Sequence, residues 1–185
     1  MTDWPGRSYH KPTISTLAAE FARTACVVGA TLPAVTETVW PSANLGIFVP
    51  FQLIAPYPVT KLWWLNGSVA AGNVDCGIYV VNLTDGLATA TLVASAGSTA
   101  QAGTLAVQVV TLGTSILLPP GNYELGLACS LATARMANVP MGIQVMRMCG
   151  CSQQASSVPM PGTQSETAIG QAYWPIFGMS NDPGL

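Results

Sequence analysis

The fold class is decided by the stretch NYELGLACSL, residues 122–131, which alternates between two kinds of side chain. One set is apolar (Tyr123, Leu125, Leu127, Cys129 and Leu131), whereas most of the residues between them are small or polar. Successive side chains of a β-strand point to opposite faces of the sheet, so this period of two predicts a strand with one buried face.

The same alternation begins at Leu45 and recurs along the rest of the chain. It places Leu45, Ile47, Val49, Phe51 and Leu53 on one face of a strand, and Val74, Cys76, Ile78 and Val80 on one face of another. Short β-branched or aromatic runs between turn residues, about every 10 to 15 positions, are typical of an antiparallel sandwich or barrel. We therefore expect an all-β protein: an antiparallel β-sandwich, jelly-roll-like, of about eight strands between Leu45 and Phe177.

Several local features refine this expectation. Pro50 cannot donate to a strand ladder and predicts that the strand at 45–53 is an edge or carries a bulge. The chain is predicted to turn back next at 70–73 in preference to the alternative hairpin signal Asn66-Gly67, because a turn at 70–73 leaves better strand lengths.

Residues 142–149 are expected to form a strand, and residues 173–177 are expected to form a last strand that closes the fold. The small-residue stretch 96–103 is predicted to be an exposed, mobile loop, and 152–170 a long loop.

The chain divides near residue 44 on the basis of its prolines and hydrophobic period. Residues 1–44 contain four separated prolines and one helix-like segment, Thr16–Cys26, in which Leu17 and Phe21 share a face. We expect 1–44 to be an extended N-terminal arm with that short helix, and 45–185 to be the sandwich with its C-terminal loop and last strand.

Charged residues are scarce. Lys and Arg number 6 and Asp and Glu 8 in 185 residues, or 8% charged, with a formal net charge of −2. No stretch reaches the roughly 20 apolar residues of a membrane helix, and so few cations predict no nucleic-acid surface. The N-terminus lacks the pattern of a secretory signal, which indicates cytoplasmic synthesis. Because only 8% of the residues are charged, few groups are left to solvate the exterior, and part of the surface is expected to be buried against other protein.

The residues that carry common chemistries are few. His10 is the single histidine, lies in the predicted arm, and provides little for a Cys/His metal site or for nucleophilic catalysis. A hydrolase that uses His10 or Asp75 is a weaker hypothesis, and no phosphate-binding loop is present. Cys26, Cys76 and Cys129 lie among apolar residues and are predicted to be buried free thiols. We expect no enzyme activity, no metal and no cofactor.

Aromatic residues are the best candidates for binding. Trp63 and Trp64 are adjacent in a predicted strand, so they must face opposite sides of the sheet and one must face away from the core. An outward tryptophan packs against the arm or another subunit, or stacks on a sugar ring. The interface or glycan candidates are Trp40, Trp63, Trp64, Tyr79, Tyr173 and Trp174.

Three segments carry a resemblance to a known class of protein: Lys61-Leu62-Trp63-Trp64-Leu65-Asn66-Gly67, Gly72-Asn73-Val74-Asp75-Cys76-Gly77-Ile78-Tyr79 and Leu117-Leu118-Pro119-Pro120-Gly121-Asn122-Tyr123. Over about residues 45 to 130 the chain resembles β-sandwich structural proteins of tailed bacteriophages.

The resemblance implies a non-enzymatic virion component, such as a capsid decoration (cement) protein or a neck or tail accessory subunit. It would assemble with copies of itself, as a trimer or higher symmetric oligomer, and with other virion proteins. The alternative is a receptor- or carbohydrate-binding module of a tail fibre or tailspike.

Overall fold

The computed structural model describes residues 14–15, 35–84, 87–165 and 167–183, which are almost entirely β-structure. Their strands are β1 Ile14–Ser15, β2 Thr36–Val39, β3 Leu45–Leu53, β4 Tyr57–Leu65, β5 Asn73–Thr84, β6 Leu87–Ser95, β7 Thr99–Ala100, β8 Val107–Leu118, β9 Gly121–Cys129, β10 Arg135–Pro140, β11 Ser152–Gln154, β12 Thr167–Ala168, β13 Tyr173–Pro175 and β14 Phe177–Ser180. One short helix, α1, spans Ile143–Met148. Every pairing between these strands is antiparallel. The all-β prediction is confirmed, with more strands than expected because the connections contain short ones.

The strands form two facing layers. The large sheet has the order β12-β11-β3-β9-β5-β6, with β7 paired to β5. The opposite layer consists of a sheet β1-β14-β4-β8 and a sheet β13-β10-β2. Ile176 joins these two sheets, since its N–H donates to the Ala137 carbonyl (3.0 Å) and its carbonyl accepts the Leu65 N–H (2.9 Å). The predicted last strand at 173–177 is thus present as β13 and the start of β14.

The core lies between the layers and uses the residues that the alternation selects. The buried residues from the inner face of the large sheet are Ile47, Val49, Phe51, Leu53, Val74, Cys76, Ile78, Tyr123, Leu125, Leu127 and Cys129. The opposite layer contributes Leu62, Trp64, Met136, Phe177 and Met179, among others. β9 ends at Cys129, and Leu131, which the alternation included, is exposed beyond it.

The outer face of the large sheet is also covered. Phe48 and Tyr79 meet edge to face, with ring centroids 5.6 Å apart, and pack with Met160. A Cβ on Gly126 would lie 2.6 Å from the Phe48 ring, so the ring needs a glycine beneath it. The chain around Met160 belongs to the stretch 152–170 that was predicted to be a loop, and it contains β11, β12 and buried side chains.

The predicted strand at 142–149 is wrong, because Ile143–Met148 forms α1. Short apolar runs are ambiguous between helix and strand when periodicity is the only guide. Here β10 already ends at Pro140, and this six-residue helix buries Met146 completely.

Two predictions about strand order also need correction. Residues 70–73 do not close a hairpin: β4 and β5 belong to opposite layers, and residues 66–72 cross between them. β3 is not at the edge of the sheet order, because it lies between β11 and β9. The ladder from β11 covers only Gly46, Ile47 and Phe48, so Pro50 lies where β3 has no partner on the β11 side among the described residues.

The described part of the predicted arm is built into the sandwich. β2 pairs with β10, and Trp40, 1% exposed, donates its Nε1–H to the Leu45 carbonyl (2.8 Å). β1 also pairs with β14, so the described parts of residues 1–44 are not an arm that is free of the sandwich. The helix predicted at Thr16–Cys26 lies outside the described residues, and the division of the chain at residue 44 stays a prediction.

If Trp40 is a core residue, Trp40→Ala should lower the free energy of unfolding by about 3–5 kcal/mol, the usual cost of truncating a buried tryptophan. Urea denaturation measures this. Ile54→Ala, at a position that is 92% exposed, is the control and should stay within about 0.5 kcal/mol of the parent protein. Equal stabilities for Trp40→Ala and the parent protein would contradict the placement of Trp40 in the core.

Candidate functional site

The aromatic residues predicted as binding candidates are mostly buried in the chain's own interior. Trp40, Trp63, Trp64, Tyr79 and Trp174 are each exposed by 8% or less, and Tyr173 is half-buried. Leu62 and Trp64 share one face of β4 and Trp63 points to the other, as alternation requires. Both paired tryptophans are buried, so neither presents a ring at the surface. Their roles as interface or glycan residues stay predictions. The six residues do not form one platform.

Tyr79 and Asp75, on β5, serve the packing of the loop over the large sheet. The Tyr79 hydroxyl donates to the Pro161 carbonyl (2.8 Å), and burial, followed by the charges of Asp75 and Glu124, raises the pKa of Tyr79. Asp75 is fully buried and accepts the Ser95 hydroxyl (2.7 Å) and the Met160 N–H (2.9 Å). Burial raises the pKa of Asp75 against the lowering effect of these donors. Both side chains hold structure together.

Two of the three cysteines that were predicted to be buried free thiols lie in the described residues. Cys76 and Cys129 are buried free thiols, as predicted, and burial raises the pKa of Cys129 to about 12. Cys26 lies outside the described residues. Within the described ranges, no group of three or more His, Cys, Asp and Glu side chains is arranged to hold a metal ion. In the same ranges, no helix has the length and apolarity to span a membrane.

The most organised polar group in the described residues lies at one end of the sandwich. We call Asn66, Gln101 and Gln108 the amide cluster. Gln101 donates its side-chain N–H to the Asn66 Oδ1 (2.9 Å), and Asn66 donates to the Ala102 carbonyl (2.7 Å) and to Gln108 Oε1 (3.2 Å). Amide side chains both donate and accept, so three of them can satisfy one another and nearby backbone groups.

The amide cluster fixes the loop 96–103, which was predicted to be exposed and mobile. Gln101 is buried, accepts the Ala71 N–H (2.8 Å) and donates to the Arg135 carbonyl (3.2 Å). Gln108 accepts the Ala102 N–H and donates to the Ala100 carbonyl, both at 2.8 Å. Although small residues fill most of this loop, one buried glutamine and strand β7 attach it to the sandwich. The loop is therefore not exposed along its whole length, because Gln101 is buried, while its mobility stays a prediction.

An ion pair borders the amide cluster. Glu37 on the edge strand β2 accepts the Ser68 hydroxyl (2.6 Å), the Ser68 N–H and the Arg135 guanidinium (3.0 Å). The bonds from Ser68, and then the charge of Arg135, lower the pKa of Glu37. The carboxylate therefore ties the connection 66–72 to β2 and β10.

A shallow open pocket of about 220 Å³ lies over this group. Its apolar walls are Val35, Leu65, Leu105 and Ala137, and its polar lining is Thr36, Glu37 and Asn66. Each polar lining residue already has an internal partner, since Thr36 donates to Asn138 Oδ1 (2.9 Å) and the other two bond as described above. The pocket therefore offers mainly apolar contact to an incoming group.

Exposed apolar side chains surround the pocket. Three backbone pairings place valines next to it. Val39 pairs with Arg135, and the Val69 carbonyl accepts the Arg135 N–H (2.9 Å). Val107 pairs with Leu65, which is part of the pocket wall. Together with the two exposed wall residues they form the end patch: Val35, Val39, Val69, Leu105 and Val107. Apolar groups that cluster on a surface with polar neighbours are typical of interaction sites.

Leu105 is the most unusual member of the end patch. It is 71% exposed and has a φ of 53°, in the left-handed region that bulky residues rarely adopt. Its N–H donates to the Gly67 carbonyl (2.9 Å), which fixes its backbone beside the amide cluster. Backbone strain of this kind persists only where surrounding structure imposes it, and it is common at functional sites.

Sequence reasoning missed this site. Asn66 was considered only as part of a turn signal, and Gln101 only as part of a small-residue loop. A signal was present, because one glutamine in the run from Ala96 to Gly103 is the only long side chain there. Its burial depends on long-range contacts to residues 66, 71 and 135, which no local pattern reports.

Comparisons with known proteins give remote matches only. No known family model and no curated protein matches the chain. Solved structures of infectious bursal disease virus are similar at 12% identity: T=1 particles derived from it (TM-score 0.37), its Gt strain (0.35) and a mutant VP2 protein in derived T=1 particles (0.36). Each match covers 100% of this chain but 45%, 47% and 45% of those chains, so this chain spans less than half their length. At TM-scores this low, the likeness carries no argument about fold or function.

Gln101→Ala should lower the free energy of unfolding by about 1–3 kcal/mol, because it leaves the buried Asn66 oxygen and the Ala71 N–H without their partner. Thermal or urea denaturation measures this. Gln52→Ala, at an exposed position of β3, is the control and should stay within about 0.5 kcal/mol of the parent protein. If both variants are equally stable, the amide cluster does not hold this end together.

The ion pair predicts a pH dependence of stability. Since the folded state lowers the pKa of Glu37, its contribution is present above the ordinary glutamate pKa and is lost as the pH falls through the folded-state value. The difference in melting temperature between the parent protein and Glu37→Gln should therefore shrink between pH 7 and pH 3, as calorimetry can measure. For Ser68→Ala, the difference in melting temperature from the parent protein should change less between pH 7 and pH 3 than it does for Glu37→Gln. A difference that grows on acidification would contradict the assignment.

Proposed function

We propose that this protein is a non-enzymatic structural subunit of a virion, of the kind that tailed bacteriophages use as capsid decoration (cement) proteins or as neck or tail accessory subunits. It acts by association with copies of itself and with other virion proteins. The sequence resemblance over residues 45 to 130 supports the class of protein, and the character of the surface supports the mode of action.

The observation that carries this proposal is the balance of charged and apolar groups at the surface. The charged side chains in the described ranges are Glu37, Lys61, Asp75, Glu124, Arg135, Arg147 and Asp182, of which Asp75 and Glu124 are buried. The exposed large apolar residues are Val35, Val39, Ile54, Val69, Val93, Leu105, Val107, Leu117, Leu131, Val145 and Met148. Within the described ranges, exposed large apolar side chains therefore outnumber the charged side chains that lie outside the core.

Such a surface favours association. Burial of apolar area contributes about 25 cal/mol per Å², and interfaces between subunits have few charged groups in their centres. Charge near zero also leaves little electrostatic repulsion between copies, which promotes contact. A surface of this composition is better suited to being covered in an assembly than to lasting exposure as a monomer.

The geometry supports binding by protein surfaces over catalysis or glycan binding. Asp75 is buried under the Met160 loop, and Glu37 is held by Ser68 and Arg135, so both carboxylates have structural partners. The four tryptophans in the described residues are buried, whereas a carbohydrate-binding module would present such rings at its surface. We therefore favour the structural subunit over the receptor- or carbohydrate-binding module.

The N-terminal arm belongs to this proposal as a docking segment, since extended segments cover large surfaces with few residues. Its test must spare the sandwich, so the deletion should remove residues 1–13 only and leave β1, β2 and Trp40 in place. The shortened chain should fold normally and fail to enter particles. Normal incorporation would remove the arm from the docking role.

Association through apolar surface predicts a specific response to salt. The purified chain should sediment as a defined oligomer of the 19.2 kDa subunit, and the oligomer should persist in 1 M NaCl, where the Debye length is about 3 Å and surface ion pairs are screened. Sedimentation velocity in 0.15 M and 1 M NaCl measures this. Mass spectrometry of purified virus particles should also find the chain. A monomer under both salt conditions, or absence from particles, would contradict the proposal.

A further inference from the structure

The outer edge of β8 has the features of a strand that pairs with its own copy. We propose that two copies of this chain associate about a two-fold axis by antiparallel pairing of residues 107–111 of β8, with Val109 of one copy opposite Val109 of the other. This inference rests on the proposed function and specifies one contact through which the subunit assembles.

β8 is an edge strand, because it stands at the end of the sheet order β1-β14-β4-β8. The Asn66 N–H donates to the Ala106 carbonyl (3.0 Å), which shows that the backbone of Ala106 faces β4. In an antiparallel ladder, residues whose backbone groups face the neighbouring strand alternate with residues whose groups face away. Gln108 and Val110 therefore also bond to β4.

The residues between them point to the open side. The N–H and C=O groups of Val107, Val109 and Thr111 face away from β4. β4 shows the same alternation, because Leu65, the partner of Val107, donates its N–H to the Ile176 carbonyl (2.9 Å) on the side away from β8. Among the described residues, no strand pairs with the open side of β8.

Two other edges of the sandwich are protected in ways that natural sheets commonly use. The Leu92 N–H of β6 donates to the Gly162 carbonyl (2.9 Å), and the Ala90 carbonyl accepts the Gln164 N–H (3.1 Å), so a loop covers part of that edge. β2 has only 4 residues and carries Glu37. β8 has 12 residues and no charged side chain, so it has neither of these protections.

The open backbone groups define the chemistry of the partner. A row of N–H and C=O groups at strand spacing is satisfied by the backbone of another strand. The row is short, because β8 begins at Val107 and a bulge follows Thr111, where residues 112–115 of β8 lie opposite Thr60 alone. We call residues 107–111 the open stretch, and Val109 is its centre.

The open stretch is complementary to itself. In an antiparallel pair centred on Val109, the two copies of Val109 face each other and Val107 faces Thr111 of the second copy. Each outward N–H then meets an outward C=O of the other copy, and neither strand has an outward residue left over. A two-fold contact requires such reciprocity. An unrelated strand would match the length and centre of this stretch only by chance.

The side chains of the open stretch also suit pairing between identical copies. A charged residue at the axis would face its own charge, and like charges directly opposite each other destabilise a strand pair. The open stretch, VQVVT, contains no charge. The facing pairs at its outward positions are Val109 with Val109 and Val107 with Thr111, all of them β-branched residues, which favour strands.

The test introduces charge at the axis. Val109→Lys and Val109→Glu each place like charges opposite each other in a pair of identical copies, which should raise the dissociation constant at least about tenfold. An equimolar mixture of the two variants should recover association, because opposite charges then meet. Leu117→Lys and Leu117→Glu, at an exposed position of β8 outside the open stretch, are the controls and should associate as the parent protein does.

Hydrogen exchange in the parent protein gives a second test that needs no substitution. The amides of Val107, Val109 and Thr111 should exchange quickly in dilute protein and slowly in the associated state. The Val110 amide, which bonds to β4, should exchange slowly in both. Sedimentation over a dilution series measures association, circular dichroism checks that each variant is folded, and NMR measures exchange at each residue.

Loss of association in the single variants, recovery in their mixture and protection of the three outward amides support the proposal. A parent protein that associates while these amides still exchange quickly overturns it and leaves the proposed assembly function standing. Folded variants that associate as the parent does, or whose mixture fails to recover association, overturn it in the same way. A parent protein that is monomeric at all concentrations overturns both the contact and the proposed self-association.

Discussion

The whole structure depends on the burial of apolar side chains between two antiparallel layers. The inner face of the large sheet is apolar along β3, β5 and β9, and the opposite layer covers it with Leu62, Trp64 and Phe177. Because the outer face of the large sheet also packs under the Met160 loop, apolar residues are needed on both sides of these strands. A chain with so many apolar positions has few left for charges, and the charge-poor exterior follows from the same composition.

That composition makes the few polar groups important. At the end of the sandwich, where strands stop and backbone groups lose their ladder partners, Asn66, Gln101 and Gln108 supply donors and acceptors without adding charge. Neutral amides can be buried there at lower cost than carboxylates or ammonium groups, provided that each finds a partner. The same end of the sandwich holds Leu105 at a positive φ in the wall of an apolar pocket.

The sequence predicted the parts of this fold that follow from local periodicity. The alternation at 45–53, 74–80 and 122–129 identified the inner face of the large sheet residue by residue, because a strand with one buried face leaves a period of two. It could not predict α1, since a six-residue apolar segment fits either a helix or a strand. It also could not predict that Trp63 and Trp64 are both buried, because the cover over a sheet face comes from distant parts of the chain. The amide cluster was invisible for the same reason: its bonds join residues 35 and 42 positions apart.

The central claim is that the charge-poor exterior is covered by other copies in the working state. A cryo-electron microscopy map of the assembled protein, or of particles that contain it, tests this most directly. The account predicts that contacts between copies centre on exposed apolar residues such as those of the end patch. Contacts made through the charged side chains, with the end patch facing solvent, would contradict it.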